Sequence, residues 1–296
     1  MNLSIKNLSK TYPNGVQALK NINLEIPLGM FGLLGPNGAG KSSLMRTIST
    51  LQEPDTGSIM LGDLDVLKQK DEVRKILGYL PQEFGVYPKV NAEDLLNHIA
   101  VLKGITNSRE RKELVKALLQ KTNLYKHRKR NLGGYSGGMK QRFGIAQALI
   151  SEPKLIIVDE PTAGLDPAER NRFLNLLSEI GENTVVILST HIVEDVKELC
   201  TQMAIINQGE VLLSGSPIDA LKEIEGKIWS KAVPKEDLDS YKARFNVISE
   251  RLIAGTPEIH VLSDSKPEDG FINEYADLED VYFSKIKASI EPVLQA

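Results

Sequence analysis

The stretch of sequence that decides the fold is Gly35-Pro36-Asn37-Gly38-Ala39-Gly40-Lys41-Ser42, which matches the pattern G-x-x-x-x-G-K-S/T in full. An apolar run from Met30 to Leu34 leads into it, and a helical pattern follows. Glycines let the backbone curl with its N–H groups inward, where they hold phosphate oxygens, and the start of a helix adds its positive end. The stretch therefore predicts a phosphate-binding loop between a buried strand and a helix.

Side chains at the end of the phosphate-binding loop suit a nucleoside triphosphate. We expect Lys41 to reach the β- and γ-phosphates and the Ser42 hydroxyl to bind Mg²⁺, with Ser43 adding a further contact. The alternative is a glycine-rich turn with a surface lysine, which the strand and helix patterns on either side disfavour. The motif alone indicates a nucleoside triphosphate but not the kind of machine that uses it.

An acidic pair closes a second buried strand. Leu155 to Val158 is continuously apolar and is followed by Asp159 and Glu160. The carboxyl ends of parallel strands are where such sheets build their sites, so we expect Asp159 to hold Mg²⁺ and Glu160 to act as the general base on the attacking water. The alternative is an acidic pair on the surface, and it is harder to set aside for Glu160 than for Asp159.

Strand patterns of two kinds alternate with helical patterns along the chain. Leu3 to Leu8 and Ile22 to Ile26 alternate apolar and polar residues, which favours half-buried antiparallel strands. Short continuous apolar runs predict strands buried on both faces of a parallel sheet. These runs are Met30 to Leu34, Ile76 to Leu80, Leu155 to Val158 and Val185 to Leu188.

Helix signals surround and interrupt these strands. Residues from about 91 to 148 are mostly helical in pattern and read as an inserted helical subdomain. Asp166 is predicted to cap a helix that ends at Gly181. The composition changes after about residue 226. In this last part of the chain, Val247 to Ile253 and Glu258 to Leu262 predict strands, and a helix with an apolar stripe follows them.

The overall composition narrows the class of protein. The chain has 296 residues, 41% hydrophobic and 25% charged, as globular proteins do, and its net charge of −3 gives no reason to expect a nucleic-acid partner. No apolar run approaches the roughly 18 residues that a membrane helix needs. If the protein serves transport, we expect another chain to provide the membrane path. The single cysteine, Cys200, cannot form an internal disulfide, which fits a reducing compartment.

Further elements follow the phosphate-binding loop in a fixed order: Gln82 after a strand, the segment Tyr135-Ser136-Gly137-Gly138-Met139, and then Asp166 and His191 after the acidic pair. Together these elements resemble the ATP-binding cassette (ABC) family. The segment at 135–139 resembles the ABC signature, LSGGQ, and departs from it at the first and last residues. The resemblance implies phosphate contacts by Ser136, Gly137 and Gly138, adenine stacking by Tyr12, and roles in the Q-, D- and H-loops for Gln82, Asp166 and His191.

The resemblance also assigns roles within the site. Gln82 is expected to contact Mg²⁺ and assist catalysis, and His191 to contact the γ-phosphate or Glu160. Each residue has a plainer alternative: an ordinary loop glutamine for Gln82, a packed histidine for His191, and a packed aromatic for Tyr12.

The resemblance implies an α/β fold. Its centre would be a P-loop NTPase (RecA-like) parallel-sheet core, joined by an N-terminal antiparallel β subdomain, an inserted helical subdomain and a small C-terminal α+β appendage. We expect residues 1–225 to form the ABC ATPase domain, with the helical subdomain at about 88–152, and residues 226–296 to form the accessory domain.

The implied function is that of an ATP-hydrolysing motor subunit of an ABC transporter, similar to bacterial ABC-2-type exporter ATPases. ATP and Mg²⁺ would be its cofactors, a separate transmembrane permease subunit its partner, and the cytoplasmic face of the membrane its location. Two such domains, in a homodimer or with a paralogous ATPase, would pair head to tail. The alternatives are a non-transport single-cassette ATPase, such as a cluster-assembly factor, and a nucleotide sensor without turnover.

Overall fold

The structure is a computed structural model that describes residues 1–82, 85 and 87–294. In this part of the chain the strands are β1 (Leu3–Thr11), β2 (Gln17–Ile26), β3 (Gly29–Leu34), β4 (Thr56–Leu61), β5 (Leu64–Asp65), β6 (Leu77–Leu80), β7 (Leu155–Asp159), β8 (Val185–Thr190), β9 (Gln202–Asn207), β10 (Glu210–Gly215), β11 (Ile228–Ala232), β12 (Val247–Ile253), β13 (Thr256–Leu262) and β14 (Ile272–Glu274). The helices are α1 (Lys41–Ile48), α2 (Lys70–Lys75), α3 (Ala92–Leu102), α4 (Ser108–Lys121), α5 (Gly137–Ala148), α6 (Pro167–Gly181), α7 (Val193–Leu199), α8 (Pro217–Ile224), α9 (Leu238–Arg244) and α10 (Leu278–Leu294).

The central sheet has six strands in the order β10-β9-β3-β8-β7-β6. Strand β3 pairs in parallel with β8 and β9, and β7 pairs in parallel with β8 and β6, whereas β10 is antiparallel to β9. All residues of β7 and β8 are buried, which explains their unbroken apolar sequence. The predicted parallel core is confirmed, and it brings the carboxyl ends of β3, β6, β7 and β8 to one edge.

A four-stranded antiparallel sheet, in the order β2-β1-β4-β5, covers one side of this core. Leu3 lies opposite Ile26, and Ile5 lies opposite Leu24, so the alternating apolar residues share one buried face. They pack with Leu44 of α1 and with the inner residues of the central sheet in one hydrophobic cluster. The predicted N-terminal β subdomain is therefore present, and β4 and β5 extend it beyond the two strands that the sequence indicated.

Helices α3, α4 and α5 form a block with a hydrophobic cluster of its own, which includes Phe143. The Asn107 side chain accepts hydrogen bonds from the backbone N–H groups of Arg109 and Glu110, which caps α4. Helix α6 ends at Gly181, where a Cβ would lie 2.9 Å from Cγ of Met30. Close packing on β3 thus explains this glycine better than a left-handed helix stop does.

The last part of the chain forms a sheet in the order β12-β13-β11-β14, with α9 and α10. Leu278, Val281 and Tyr282 of α10 belong to the same hydrophobic cluster as Val196 and Ile205 of the core. The α+β character is as expected, but the sequence did not reveal β11, β14 or α9. The boundary after residue 225 stays a prediction, and the final residues of the proposed accessory domain, 295 and 296, lie outside the described residues.

Candidate functional site

The phosphate-binding loop turns sharply between β3 and α1. Gly40 has φ +109, in the left-handed region that glycine adopts most easily. A Cβ at Gly40 would lie 2.5 Å from the Ala18 carbonyl oxygen, and one at Gly35 would lie 2.3 Å from the Ile206 carbonyl oxygen. The loop is therefore pressed against backbone from β2 and β9, and only glycine fits at these two positions.

Lys41 occupies the first turn of α1, directly after the loop. Its side chain is buried, and Nζ donates hydrogen bonds to the carbonyl oxygens of Gly35 at 2.6 Å and Pro36 at 3.2 Å. Burial lowers the pKa of Lys41, while the nearby carboxylates of Glu160 and Asp159 act in the opposite direction. The loop thus holds a desolvated ammonium group that a triphosphate could approach.

Asp159 ends β7 with its side chain buried. Burial is the main cause that raises the pKa of Asp159, and the neighbouring hydroxyls of Ser189 and Ser42 partly offset it. Among the described residues, Asp159 Oδ1 has no hydrogen-bond partner. A buried carboxylate oxygen without a partner, next to a serine hydroxyl, is a donor set that fits Mg²⁺.

Glu160 follows Asp159 in a strained backbone conformation with φ +49, which is uncommon for a residue other than glycine and recurs at functional sites. Its backbone N–H donates to the Ser189 carbonyl oxygen at 2.8 Å. One carboxylate oxygen lies 3.5 Å from Nζ of Lys41, and the other contacts Nδ1 of His191. The Glu160 side chain is buried, whereas His191 is half exposed, so the pair joins the core to the surface.

An open cleft lies over the phosphate-binding loop. It is lined by Pro36, Asn37, Gly38, Ala39, Gly40, Lys41, Ser42 and Ser43 together with Tyr12, Gln82 and Glu160. The structure therefore brings together most of the predicted nucleotide-binding residues. Gln82 follows β6, next to the β7 strand that carries Asp159, so it lies at the same edge of the sheet.

Tyr12 is held in the cleft through its hydroxyl group. That hydroxyl lies 3.0 Å from Oγ of Ser43 and donates to Oε1 of Gln52 at 3.0 Å. Gln52 is fixed in turn, since its Nε2 donates to the Ser43 carbonyl oxygen at 3.0 Å. The aromatic ring is thereby placed beside the first turn of α1, and its stacking on adenine stays a prediction.

The sequence missed several residues that line the same cleft. They are Val16, Gln17, Ala18, Lys20, Gln208 and Gly209. The Gly209 N–H donates to the Ala39 carbonyl oxygen at 2.9 Å, and the Lys20 N–H donates to the Gly209 carbonyl oxygen at 2.8 Å. No local sequence signal showed that the turn between β9 and β10 touches the phosphate-binding loop.

As far as the structure describes the chain, the segment at 135–139, which resembles the ABC signature, is not part of the cleft lining. Ser136 caps α5, with its Oγ accepting from the Met139 N–H at 3.2 Å. Asp166 caps α6, with its carboxylate accepting from the Glu169 N–H at 2.9 Å. A Cβ at Gly138 would lie 2.4 Å from the Glu169 carboxylate, so α5 and α6 meet closely there.

Within one chain, the structure separates these residues from the cleft. In the described part of the chain, Ser136, Gly137, Gly138 and Asp166 are absent from the cleft lining. Ser136 and Gly137 are exposed, and a Cβ on Gly137 would meet only a Leu165 side-chain carbon, at 3.9 Å. The backbone at the start of α5 is therefore open to a group from outside this chain.

Helix composition gives one further observation. Within residues 1–82, 85 and 87–294, no helix combines the length and the apolar character required to span a lipid bilayer.

Comparison with known proteins adds a family likeness. A family model described as "ABC transporter" matches residues 19–163. The chain is 32% identical over 302 residues to the uncharacterized ABC transporter ATP-binding protein YxlF of Bacillus subtilis (strain 168), covering 97% of this chain and 100% of the relative. It is 35% identical over 226 residues to the linearmycin resistance ATP-binding protein LnrL of the same organism, covering 76% of this chain and 72% of the relative.

A solved structure resembles the chain at the level of the fold. It is described as the dimeric, post-hydrolysis state of the ATP-binding cassette MJ0796 bound to ADP and Pi. The TM-score is 0.66 at 27% sequence identity, and the match covers 72% of this chain and 98% of that chain.

Proposed function

From the premise that this chain belongs to the ABC transporter family, as an ATP-binding subunit that hydrolyses ATP, we propose that it is the motor of an exporter. Its copies, or this chain and a paralogous ATPase, pair head to tail and drive a separate transmembrane subunit from the cytoplasmic face of the membrane. The observation that carries the head-to-tail pairing in this proposal is the separation of the phosphate-binding loop from the exposed Ser136-Gly137 turn.

Each chain carries two half-sites for one triphosphate. The first half-site is the loop with Lys41, and the second is the start of α5, where Ser136 and Gly137 are exposed. A helix start offers backbone N–H groups and a positive dipole end, which suit the γ-phosphate. ATP held by one chain would then be closed over by Ser136, Gly137 and Gly138 of the other, so that nucleotide joins the pair and hydrolysis releases it. The dimeric description of the MJ0796 cassette supports this arrangement.

The residues around Glu160 support a hydrolytic role for the closed site. Glu160 accepts the proton of the attacking water, while its contact with His191 orients the carboxylate. Lys41 neutralises charge on the β- and γ-phosphates. Ser42, Asp159 and Gln82 would hold Mg²⁺, which, when bound, spreads the negative charge of the phosphate oxygens. Tyr12 would stack on adenine, and Asp166 would approach the shared site from the start of α6.

The proposed membrane partner and the proposed direction of transport are supported by the names of similar proteins. By name, YxlF is an ABC transporter ATP-binding protein, which favours a transmembrane partner. LnrL is a linearmycin resistance ATP-binding protein, which favours outward transport. Other relatives are named for import of methionine and phosphonates. The outward direction of transport is therefore inferred from the similarity to the linearmycin resistance protein LnrL. Gln82, between the cleft and the helical block, would pass the closing motion to the partner.

The experiment is recovery of the tagged full-length chain from detergent-solubilised membranes and, in parallel, from the cytosolic fraction of the cell that produces it. We expect the membrane fraction to yield a complex with a multi-span hydrophobic protein, and that complex to hydrolyse ATP. Recovery with soluble proteins alone would contradict the transporter assignment and favour a non-transport single-cassette ATPase.

A further inference from the structure

A buried carboxylate lies behind the two segments that carry Glu160 and His191. Asp195, on α7, has 0% of its surface exposed. Its Oδ2 accepts hydrogen bonds from the hydroxyls of Thr162 at 2.5 Å and Thr190 at 3.5 Å. Its Oδ1 accepts from Nε of Arg170 at 2.8 Å and lies 2.7 Å from Nη2 of the same guanidinium.

The partners of Asp195 belong to three different segments of the site. Thr162 lies two residues after Glu160, and Thr190 comes directly before His191. Arg170 is on α6, the helix that Asp166 caps. One carboxylate therefore joins the acidic segment, the histidine segment and the start of α6 from behind.

The contacts at Thr190 continue into the backbone of the histidine segment. The Thr190 hydroxyl oxygen accepts from the Ile192 N–H at 2.9 Å, which shapes the turn that presents His191. The His191 side chain is half exposed. Because a half-exposed ring has little packing to fix it, the position of His191 depends on its backbone and on its contact with Glu160.

We propose that Asp195 is a positioning residue for ATP hydrolysis, which sets the relative placement of Glu160 and His191 through Thr162 and Thr190. This inference rests on the proposed roles of Glu160 and His191. Asp195 itself touches neither nucleotide nor water in the reaction, and it acts through the two threonine hydroxyls.

A purely stabilising ion pair does not account for this geometry. Arg170 alone supplies the opposite charge that a buried carboxylate requires. The two threonine hydroxyls add directional bonds that converge on one oxygen from two site segments. Such supporting bonds hold catalytic side chains in place, and a displacement of about 1 Å at a reacting group can cost about 100-fold in rate.

The test compares three variants of the full-length chain. Asp195→Asn removes the charge while keeping the shape, and Thr162→Val removes one hydroxyl while leaving the Asp195–Arg170 pair intact. Glu198→Gln is the matched control, because Glu198 lies 3.6 Å from the same guanidinium, while within the described part of the chain the hydroxyls of Thr162 and Thr190 bond to Asp195 and not to Glu198. For each variant, kcat and KM for ATP and the thermal midpoint are measured, with Glu160→Gln alongside as a turnover reference.

We expect kcat to fall about 100-fold in Asp195→Asn and about tenfold in Thr162→Val, with KM changed less than about threefold. Glu198→Gln should keep the kcat of the parent. If Asp195→Asn does not fold, Thr162→Val carries the test alone.

Two different outcomes distinguish failure of the positioning role from failure of the proposed function. Parental kcat in the folded Thr162→Val and Asp195→Asn variants, with a lowered thermal midpoint and a slow Glu160→Gln, would overturn the positioning role and leave a structural ion pair. Rapid hydrolysis by Glu160→Gln would instead overturn the proposed function on which this role rests.

Discussion

Nζ of Lys41 lies 3.5 Å from Oε1 of Glu160, and both side chains are buried. Lys41 follows β3 and Glu160 follows β7, with β8 between these strands in the sheet. Strand β8 leads to His191, which contacts the other oxygen of the Glu160 carboxylate. Three neighbouring strands therefore deliver a cation, a carboxylate and an imidazole to one point, and the order of the strands dictates that meeting.

Replacement of Lys41 by alanine tests the phosphate-binding half-site. Lys41→Ala removes the charge-assisted hydrogen bonds to phosphate, and we expect ATP affinity to fall about 100-fold. The measurement is titration with a fluorescent ATP analogue. Lys75→Ala is a control that removes an exposed lysine from α2, and it should bind like the parent. Unchanged affinity in Lys41→Ala would contradict the phosphate-binding role of the loop.

Ser136→Arg tests the second half-site. An arginine at the exposed start of α5 would fill the space that the other chain's γ-phosphate needs, so ATP-dependent pairing should be lost while binding to a single chain persists. Light scattering with ATP reports the pairing, and analogue titration reports the binding. Ser265→Arg places the same side chain at an exposed position after β13 and should pair normally. Full ATPase activity in Ser136→Arg would argue against a shared site.

The pH dependence of stability should reveal the link between β13 and α10. Nδ1 of His260 lies 2.7 Å from Oδ1 of Asp280, and this hydrogen bond is the main cause that raises the pKa of His260, against an opposing effect of burial. A group with a raised folded pKa stabilises fully below its unfolded pKa of about 6.5, and the contribution is lost as pH rises through the folded pKa.

We therefore expect His260→Gln to lower stability by about 1 kcal/mol at pH 6, with a smaller loss at pH 9. Thermal midpoints across this range measure the difference. His98→Gln, at an exposed position of α3, serves as the control and should show no such trend. A loss of stability in His260→Gln that grows towards alkaline pH would show that the hydrogen bond between His260 and Asp280 does not stabilise the fold in this way.

Local sequence patterns were sufficient for the core of this fold. The glycines at 35 and 40 and the unbroken apolar run of β7 report constraints that act within a few residues, so the loop and the parallel strands could be predicted. Contacts between side chains from different strands and helices could not be predicted in this way. Asp195 looks like an ordinary acidic residue in the first turn of a helix, and only the packing of α7 behind β8 shows that it binds Thr162 and Thr190.

The C-terminal sheet illustrates the same limit. Strand β11 carries Trp229, Ser230 and Lys231 with little apolar alternation, and it forms because β13 and β14 pair on either side of it. The contact of Gly209 with the phosphate-binding loop likewise depends on β9 lying beside β3. Pairing between distant segments sets these positions, so a reading of neighbouring residues misses them.

Loss of the general base should uncouple binding from turnover. Glu160→Gln keeps the size and one hydrogen-bonding oxygen but cannot accept the proton, so we expect kcat to fall about 100-fold or more with little change in ATP affinity. Phosphate release and analogue titration measure the two quantities. The Glu179→Gln variant, which changes a residue at the far end of α6, should retain normal turnover.

The head-to-tail shared site is tested most directly by the crystal structure of the Glu160→Gln variant grown with ATP and Mg²⁺. The proposed arrangement predicts two chains, with the backbone N–H groups of Gly137 and Gly138 of each chain about 3 Å from the γ-phosphate held by the loop of the other. A nucleotide-bound structure in which this turn contacts no phosphate would contradict the account and leave a P-loop ATPase that works as a single chain.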